Sequence, residues 1–228
     1  MCGRFTLKTP PDQWGQVLLP PEDRNHLLSD WKPRYNIAPS QDILAVVRVP
    51  AAELDYAWLR WGLIPPWADD PSIGNRMINA RSETVLEKRS FIGPMKSRRC
   101  LILADGYYEW KKTAVGKQPY WIAPREGGAI QFAGLWEINR KLGPAPVCSC
   151  TIITTTATPE LAELHDRMPV LLRDEAAERW MDHRLAPAAA QTLLRPAPSG
   201  WLAARPVTKK VNNARYDTPD CLSPPEQP

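Results

Sequence analysis

Long apolar runs, paired cysteines and a signal-like leader are all missing from this sequence. No run of about 18 apolar residues occurs, so we expect no membrane span. The N-terminus does not follow the charged-then-apolar pattern of a signal peptide. The five cysteines are odd in number and irregularly spaced, which is typical of free thiols and predicts a cytoplasmic protein.

The motifs of the common cofactor-dependent enzymes are absent as well. The sequence contains no GxGxxG, P-loop, HExxH or GxSxG pattern. Cys148 and Cys150 are too closely spaced for a usual zinc pair, and no CxxC occurs. We therefore expect no metal and no cofactor.

Proline is abundant, at 25 of 228 residues, or about twice its usual share. This abundance favours fixed turns and short elements over long helices. Runs of β-branched and aromatic residues predict strands at 44–49, 56–61, 99–104, 119–123, 129–136 and 150–156. The pair Asp105-Gly106 predicts a hairpin between the strand at 99–104 and residues 107–111.

Predicted helices are short and scattered, at 12–19, 82–89, directly after Thr158, 174–181 and 188–194. Strands dominate and do not alternate with helices. The predicted fold class is therefore α+β, with one domain built on a mainly antiparallel, barrel-like β-sheet and peripheral short helices. We expect this domain to cover residues 1–221. The proline-rich end from 217 onwards, including a tail at 222–228, is predicted to be disordered.

Positive charge is concentrated in one part of the chain. The formal net charge is +4, yet the stretch 75–99 alone holds seven basic and two acidic residues. Such a stretch predicts a polyanion partner, although a solvated charged face explains it equally well. Arginines near Trp58, Trp61 and Trp67 would suit single-stranded nucleic acid, with the guanidinium on phosphate and the ring on a base. The alternative is that these tryptophans belong to the core.

Cys2 gains unusual chemistry if Met1 is removed, as is usual before a small second residue. It then carries an α-amine, with a pKa of about 7.7–8.0, beside a thiol that needs only modest help to ionise. Such an aminothiol condenses with an aldehyde to an imine, which the sulfur closes to a five-membered thiazolidine. Taken alone, a cysteine near a terminus is usually a small hydrophobic residue.

Three further residues suit the same chemistry. Glu109 lies among aromatic residues, where desolvation favours the protonated carboxyl. His165 is bracketed by charge and precedes a proline, and Asn79 lies in the basic stretch. The simpler interpretations are an outward-facing strand residue for Glu109 and a helix C-terminal histidine for His165.

Six short motifs follow one another along the chain: Met1-Cys2-Gly3-Arg4, Tyr35-Asn36-Ile37-Ala38-Pro39, Arg60-Trp61-Gly62-Leu63-Ile64-Pro65, Asn79-Ala80-Arg81-Ser82-Glu83-Thr84, Ala104-Asp105-Gly106-Tyr107-Tyr108-Glu109-Trp110 and His165-Asp166-Arg167-Met168-Pro169. In this order they resemble the SOS response-associated peptidase (SRAP) family, whose members are also called abasic site processing proteins. The resemblance runs from Cys2 to about Cys221.

The resemblance implies an SRAP domain that recognises abasic sites in single-stranded DNA and crosslinks to them covalently. By this resemblance Cys2 is the nucleophile after Met1 is removed, and Asn79 positions the reacting amine and sugar. Glu109 would shuttle protons at the amine and imine, and His165 would assist ring opening and imine chemistry. The phosphate-binding arginines would be Arg4, Arg81, Arg89 and Arg167. The DNA channel would be lined by Trp67, Pro39 and Thr154.

The resemblance also implies a peptidase activity that removes Met1, together with lyase-like Schiff-base chemistry on abasic DNA. The expected partner is single-stranded DNA with abasic sites, and a preference for junctions with double-stranded DNA stays open. We expect a monomer in the cytoplasm that associates with the nucleoid when bound to DNA. Two other functions stay open from the residues: an N-terminal-nucleophile cysteine hydrolase, and a non-catalytic module that binds single-stranded DNA.

Overall fold

The computed structural model describes residues 2–15, 17–22, 28–49, 53–114 and 116–226. These residues form twelve strands, named β1 to β12, and four α-helices, named α1 to α4. The strands are Phe5–Leu7, Arg34–Ile37, Asp42–Arg48, Leu54–Trp61, Asn79–Arg81, Arg99–Ala104, Gly106–Thr113, Gly116–Pro124, Ile130–Asn139, Val147–Thr156, Arg167–Pro169 and Leu202–Pro206. The helices are Arg89–Ser97, Pro159–Ala162, Asp174–Met181 and Pro187–Gln191.

A closed five-stranded barrel forms the core. Its strands follow the order β3, β4, β10, β9 and β6, and β6 pairs with β3 to close the ring. Four of the five strand contacts are antiparallel, and the contact between β4 and β10 is parallel. Fully buried aliphatic side chains such as Ile102, Leu135 and Ile152 belong to this core. The predicted α+β class with a mainly antiparallel, barrel-like sheet is confirmed.

A second sheet of five strands, in the order β12, β8, β7, β1 and β2, packs on the barrel. Because side chains alternate along a strand, Tyr107 and Glu109 of β7 face one side and Tyr108 faces the other. Tyr107 packs against Phe132 of the barrel, whereas Tyr108 packs against Val207 near the C-terminal end. Glu109 therefore faces the barrel side of the sheet.

The predicted hairpin at Asp105-Gly106 is wrong, because β6 belongs to the barrel and β7 to the second sheet. The Asp105 carboxylate instead accepts backbone N–H groups from Lys8 and Thr9 at this corner. A Cβ atom on Gly106 would lie 2.6 Å from the carbonyl oxygen of Ile122, so the glycine permits a close approach of two strands. The hairpin that does form joins β7 to β8.

Three of the predicted helices are present. Helix α3, Asp174–Met181, has the predicted bounds. Helix α2 begins directly after Thr158, as predicted, although the Thr158 side chain makes no capping hydrogen bond. The helix predicted at 188–194 is α4, Pro187–Gln191.

The other two predicted helices are wrong. The segment 12–19 contains only a 3-10 turn at Pro11–Gln13, and Gln16 lies outside the described residues. The segment 82–89 forms turns because tertiary partners hold it: the Ser82 amide bonds to β10, and the Glu83 carboxylate bonds to Arg167. The α-helix in this region begins only at Arg89.

The C-terminal segment is ordered further than predicted. The Asp217 carboxylate accepts the backbone N–H groups of Tyr35 at 2.5 Å and Asn36 at 2.8 Å. A 3-10 helix covers Pro219–Leu222, and the Ser223 carbonyl accepts the amide of Thr208. Disorder is therefore wrong for 217–223, and residues 227 and 228 lie outside the described part of the chain.

None of the helices that the structure describes is long and apolar enough to span a bilayer.

Candidate active site

Cys2 is fully buried and is held by a residue from a distant part of the sequence. The side-chain amide of Asn79 donates a hydrogen bond of 2.8 Å to the carbonyl oxygen of Cys2. Asn79 begins β5, which pairs with barrel strand β10, so the barrel fixes the position of this amide. Its Oδ1 is buried without a partner among the residues that the structure describes. This oxygen is available to accept a hydrogen bond from a bound group.

Glu109 of β7 is 4% exposed and belongs to the same electrostatic cluster. Burial raises the pKa of its carboxyl, and His165 lowers it when its imidazole is protonated. Burial, and then the charge of Glu109, raise the pKa of the Cys2 thiol. Glu109 is thus close enough to act on Cys2, and His165 is close enough to act on Glu109. With the hydrogen bond from Asn79 to Cys2, the structure brings together the four residues predicted to carry out the chemistry.

The expectation that the Cys2 thiol ionises easily is wrong. Burial, followed by the charge of Glu109, holds its pKa well above the ordinary value. The sulfur is therefore a neutral thiol at neutral pH, and it must give up its proton as it forms a bond. The α-nitrogen is the better first nucleophile once its peptide bond is gone.

The two residues that follow His165 in the sequence hold its imidazole ring. The Arg167 amide donates to Nδ1 at 2.9 Å, and Oδ1 of Asp166 lies 2.8 Å from the same nitrogen. Nδ1 cannot both accept a hydrogen bond from the Arg167 amide and donate one to the Asp166 carboxylate. A backbone amide always carries its proton, and the Asp166 side chain is 86% exposed. We therefore assign Nδ1 as the acceptor and the proton to Nε2, which can then donate.

Two of the predicted phosphate-binding arginines, Arg81 and Arg89, are exposed. Arg81 follows Asn79 on β5, and the guanidinium of Arg89 lies 5.2 Å from the ring centre of Trp67. Trp67 is 39% exposed, so this stacked cation and ring lie on the surface. Pro39 is half-buried.

The other predicted DNA contacts face inward. Nη1 of Arg4 donates to the Asn36 side chain at 2.7 Å and to the Val211 carbonyl at 2.8 Å, linking β1 to the C-terminal segment. Thr154 is fully buried, and its hydroxyl lies 3.4 Å from the carbonyl oxygen of Ala80. The structure does not bring the Thr154 side chain to the surface. For Arg4 and Thr154, a DNA contact stays a prediction.

The basic stretch 75–99 divides into a surface part and a structural part. Its exposed members are Arg76, Arg81, Lys88, Arg89 and Lys96. Arg98 pairs with Glu137 at 2.8 Å, and Arg99 is fully buried, where it donates to the Trp180 and Met95 carbonyls. Of the tryptophans considered for stacking, Trp61 is core, whereas Trp58 is 40% exposed.

The cluster offers an amide, a carboxyl, an imidazole and a thiol, which suit proton transfer and nucleophilic addition. Within the described ranges, no group of three or more His, Cys, Asp and Glu residues is placed to hold a metal ion. A family model described as SOS response associated peptidase (SRAP) matches residues 1–214. The chain belongs to the SRAP family.

Two named SRAP relatives cover most of this chain. It is 40% identical over 228 residues to the abasic site processing protein YoqW of Bacillus subtilis (strain 168). That alignment spans 97% of this chain and 99% of YoqW. It is 40% identical over 195 residues to the abasic site processing protein HMCES of Gallus gallus, which spans 74% of this chain and 57% of that relative.

Solved structures share the SRAP fold described above. A protein of Bacteroides thetaiotaomicron superposes with a TM-score of 0.81 at 22% identity, over 98% of this chain and 99% of that one. This likeness concerns the fold alone. A phage-related protein of Bordetella bronchiseptica superposes with a TM-score of 0.72 at 30% identity, over 96% of this chain and 100% of that one.

Sequence reasoning missed two residues inside the SRAP motifs. Asn36 is fully buried, accepts from Arg4, and donates its amide to the Tyr216 carbonyl at 2.7 Å. Glu83 holds Arg167 in a two-pronged ion pair at 2.6 and 2.8 Å. The signal for Glu83 was its negative charge within a basic stretch, which predicts a local ion pair. Nothing in the sequence indicated the partners of Asn36, because Arg4 lies 32 positions away and Tyr216 lies 180 positions away.

Proposed function

We propose that this protein recognises abasic sites in single-stranded DNA and captures them in a covalent thiazolidine through the α-amine and thiol of Cys2. The observation that carries this proposal is the hydrogen bond from Asn79 to the Cys2 carbonyl, beside the carboxyl of Glu109 and the imidazole of His165. The abasic site processing proteins YoqW and HMCES, similar over most of this chain, support the same class of substrate.

Recognition rests on phosphate contacts, because an abasic nucleotide has no base to read. Arg81 and Arg89 are exposed, and Arg81 follows Asn79 by two positions. Arg167 follows His165 by two positions. The stacked pair of Arg89 and Trp67 offers a cation for phosphate and a ring edge for a neighbouring base. These contacts suit a single strand, whose bases are accessible.

Removal of Met1 precedes the chemistry. Hydrolysis of the Met1–Cys2 peptide bond consumes one water, releases methionine and frees the α-amine of Cys2. We assign this step to the protein itself, as its peptidase activity, with Glu109 as the buried carboxyl that moves the proton. The Cys2 carbonyl keeps its hydrogen bond to Asn79, so the new amine forms beside the other residues of the cluster.

The amine then attacks the abasic sugar. Ring opening of the deoxyribose exposes an aldehyde at C1′, and the neutral amine adds to this carbon to give a carbinolamine. The carbinolamine loses water, with Glu109 or His165 donating the proton, and a Schiff base forms. The raised pKa of Glu109 favours the protonated carboxyl that this step needs.

Ring closure by sulfur completes the capture. The carbon–sulfur bond forms at C1′ of the Schiff base, and the thiol proton passes to the imine nitrogen. The overall change is aldehyde plus aminothiol to thiazolidine plus one water. Because the imine is consumed, the strand is no longer activated for β-elimination, and the lesion is shielded rather than cut.

Intact mass spectrometry tests the proposal. The protein is mixed with an abasic single-stranded oligonucleotide and with its intact counterpart. We expect loss of the Met1 mass from the protein, and an adduct of protein plus abasic oligonucleotide less one water. Cys2→Ser is expected to give at most a labile imine adduct, and acetylation of the α-amine is expected to abolish the adduct.

The two other functions predict different outcomes. A cysteine hydrolase that uses the amine only as a base would form no adduct with abasic DNA but would cleave peptides or amides. A plain binding module would give salt-reversible binding with no adduct on a denaturing gel. A heat-stable adduct with Cys2→Ser, equal to that of the unaltered protein, would rule out the thiazolidine.

A further inference from the structure

Arg167 uses most of its hydrogen-bond donors inside the protein. A guanidinium has five N–H donors. Nη1 donates to one carboxylate oxygen of Glu83 at 2.6 Å, and Nη2 donates to the other at 2.8 Å and to the Thr154 carbonyl at 2.7 Å. Nε is buried without a partner among the described residues. Counting the contacts of the described residues, and leaving out the buried Nε, the second N–H of Nη1 is the donor left for a ligand.

A DNA phosphate that binds Arg167 through two hydrogen bonds would need the edge of the guanidinium that Glu83 occupies. Carboxylates and phosphates both take a guanidinium in the same two-pronged manner. The Glu83 side chain is 49% exposed, whereas that of Arg167 is 13% exposed. Glu83 is therefore the partner that can leave into solvent, while the Thr154 carbonyl keeps Arg167 in place.

We propose that Glu83 competes with DNA for Arg167: it occupies the phosphate position of this arginine and has to be displaced before a DNA strand binds there. This inference rests on the proposed function, since it takes Arg167 to bind phosphate. Displacement of Glu83 weakens the binding of every strand to the same degree. An abasic strand is then fixed by its covalent bond, whereas an intact strand dissociates. Glu83 thereby shortens the time that an intact strand stays bound to the protein.

The exchange leaves the catalytic cluster undisturbed. Arg167 begins β11, which pairs with Thr156 of barrel strand β10, so its backbone does not have to move. The backbone amide of Arg167 keeps its hydrogen bond to His165 whichever acid the side chain holds. Glu83 is therefore expected to affect binding and not the crosslinking chemistry.

The test compares Glu83→Gln with Glu87→Gln. Both remove one negative charge from the same exposed segment. Of these two glutamates, Glu83 is the one that hydrogen-bonds to Arg167 in the described part of the chain. The probe is an intact single-stranded oligothymidylate, with binding followed by fluorescence anisotropy over a series of salt concentrations. We expect Glu83→Gln to bind roughly fivefold more tightly than Glu87→Gln. We also expect its log–log salt dependence to be steeper by about 0.7, as for one more phosphate contact on a single strand.

A double-mutant cycle separates the proposed contact from a general charge effect. In an Arg167→Ala background, the gain from Glu83→Gln is expected to vanish. Glu83→Ala has no side-chain oxygen to accept hydrogen bonds from Arg167. This variant is expected to change binding in the same direction as Glu83→Gln. If Glu83→Gln binds intact DNA no more tightly than Glu87→Gln, or more weakly, Glu83 orients Arg167 for phosphate and the proposal is overturned. A gain that persists without Arg167 overturns it as well.

Failure of the proposed function gives a different result. In that case the unaltered protein forms no covalent adduct with abasic DNA, while the effect of Glu83→Gln on intact strands is still present. The binding assay uses no abasic site, so its outcome does not depend on the crosslinking chemistry.

Discussion

Asn79 and Cys2 lie 77 positions apart in the sequence and are joined by a hydrogen bond of 2.8 Å from the Asn79 side chain to the Cys2 carbonyl. Asn79 is on a strand that pairs with the barrel, and Cys2 precedes β1 of the second sheet. This contact fixes the carbonyl group of the residue that carries the reacting nitrogen. A small displacement at that point moves the nucleophile directly.

Asn79→Ala is therefore expected to slow crosslinking to abasic DNA by about 100-fold, because a misplaced nucleophile loses its near-attack geometry. Binding to intact single strands should change little, since the side chain carries no charge. The rate is measured as adduct accumulation on denaturing gels. Asn75→Ala is the control, because Asn75 is exposed and its side chain accepts a hydrogen bond from the Ser40 hydroxyl, away from Cys2. Equal rates for both variants would remove Asn79 from the site.

Gly106→Ala is expected to destabilise the fold. A Cβ atom at this position would lie 2.6 Å from the Ile122 carbonyl oxygen and 2.8 Å from the Trp121 ring, so β7 and β8 would have to separate. We expect a loss of about 2–3 kcal/mol and a fall in Tm of about 5–10 °C in thermal melting. Gly143→Ala, where no atom lies within 4 Å of the added Cβ, should melt like the unaltered protein. Similar melting of the two variants would contradict this account of the corner.

Local sequence patterns predicted individual strands better than their connections. The strand at 99–104 and the helix at 174–181 have their predicted bounds, because a short apolar run and an amphipathic pattern are local signals. The hairpin at Asp105-Gly106 was wrong because the pair lies at a corner between two sheets. Its backbone partners, Lys8 and Thr9, are far away in sequence.

The chemistry of the site was predictable as residue types but not as an environment. Cys2, Asn79, Glu109 and His165 stand out by their motifs, and the structure brings them together. The high pKa of the Cys2 thiol depends on complete burial, which comes from packing between sheets and leaves no mark in the residues around it. The inward contacts of Arg4 likewise depend on a segment about 200 residues away.

Arg81→Ala is expected to weaken binding to abasic and intact single strands alike. Arg81 is exposed, and in the proposed role it neutralises a phosphate rather than reading a base. We expect the log–log salt dependence to become shallower by about 0.7, in fluorescence anisotropy over a salt series. Arg184→Ala, an exposed arginine paired with Asp182 next to α3, is the charge-matched control. A loss confined to the abasic strand would contradict the phosphate role.

Glu109→Gln is expected to slow crosslinking by about 100-fold or more, because the amide cannot transfer a proton to the carbinolamine or take one from the thiol. Affinity for intact strands should stay within about twofold, since the buried carboxyl does not reach the surface. Adduct formation under single-turnover conditions and anisotropy with an intact strand measure the two effects separately. A large loss of affinity with an unchanged rate would remove Glu109 from the catalytic cluster.

The same substitution is expected to stabilise the folded protein at neutral pH. Burial raises the pKa of Glu109 in the folded state above its ordinary value near 4.5, so the native state holds this proton more tightly than the unfolded state. The resulting stability is present below the ordinary pKa and is lost as pH rises through the raised pKa. Glutamine has no proton to lose. Glu109→Gln should therefore melt about 2 °C or more above the unaltered protein at pH 7.5, with a difference that shrinks towards pH 4. Glu126→Gln, at an exposed turn, should show no such trend. If the difference in Tm between Glu109→Gln and the unaltered protein is smaller at pH 7.5 than at pH 4, the folded state prefers the charged carboxylate.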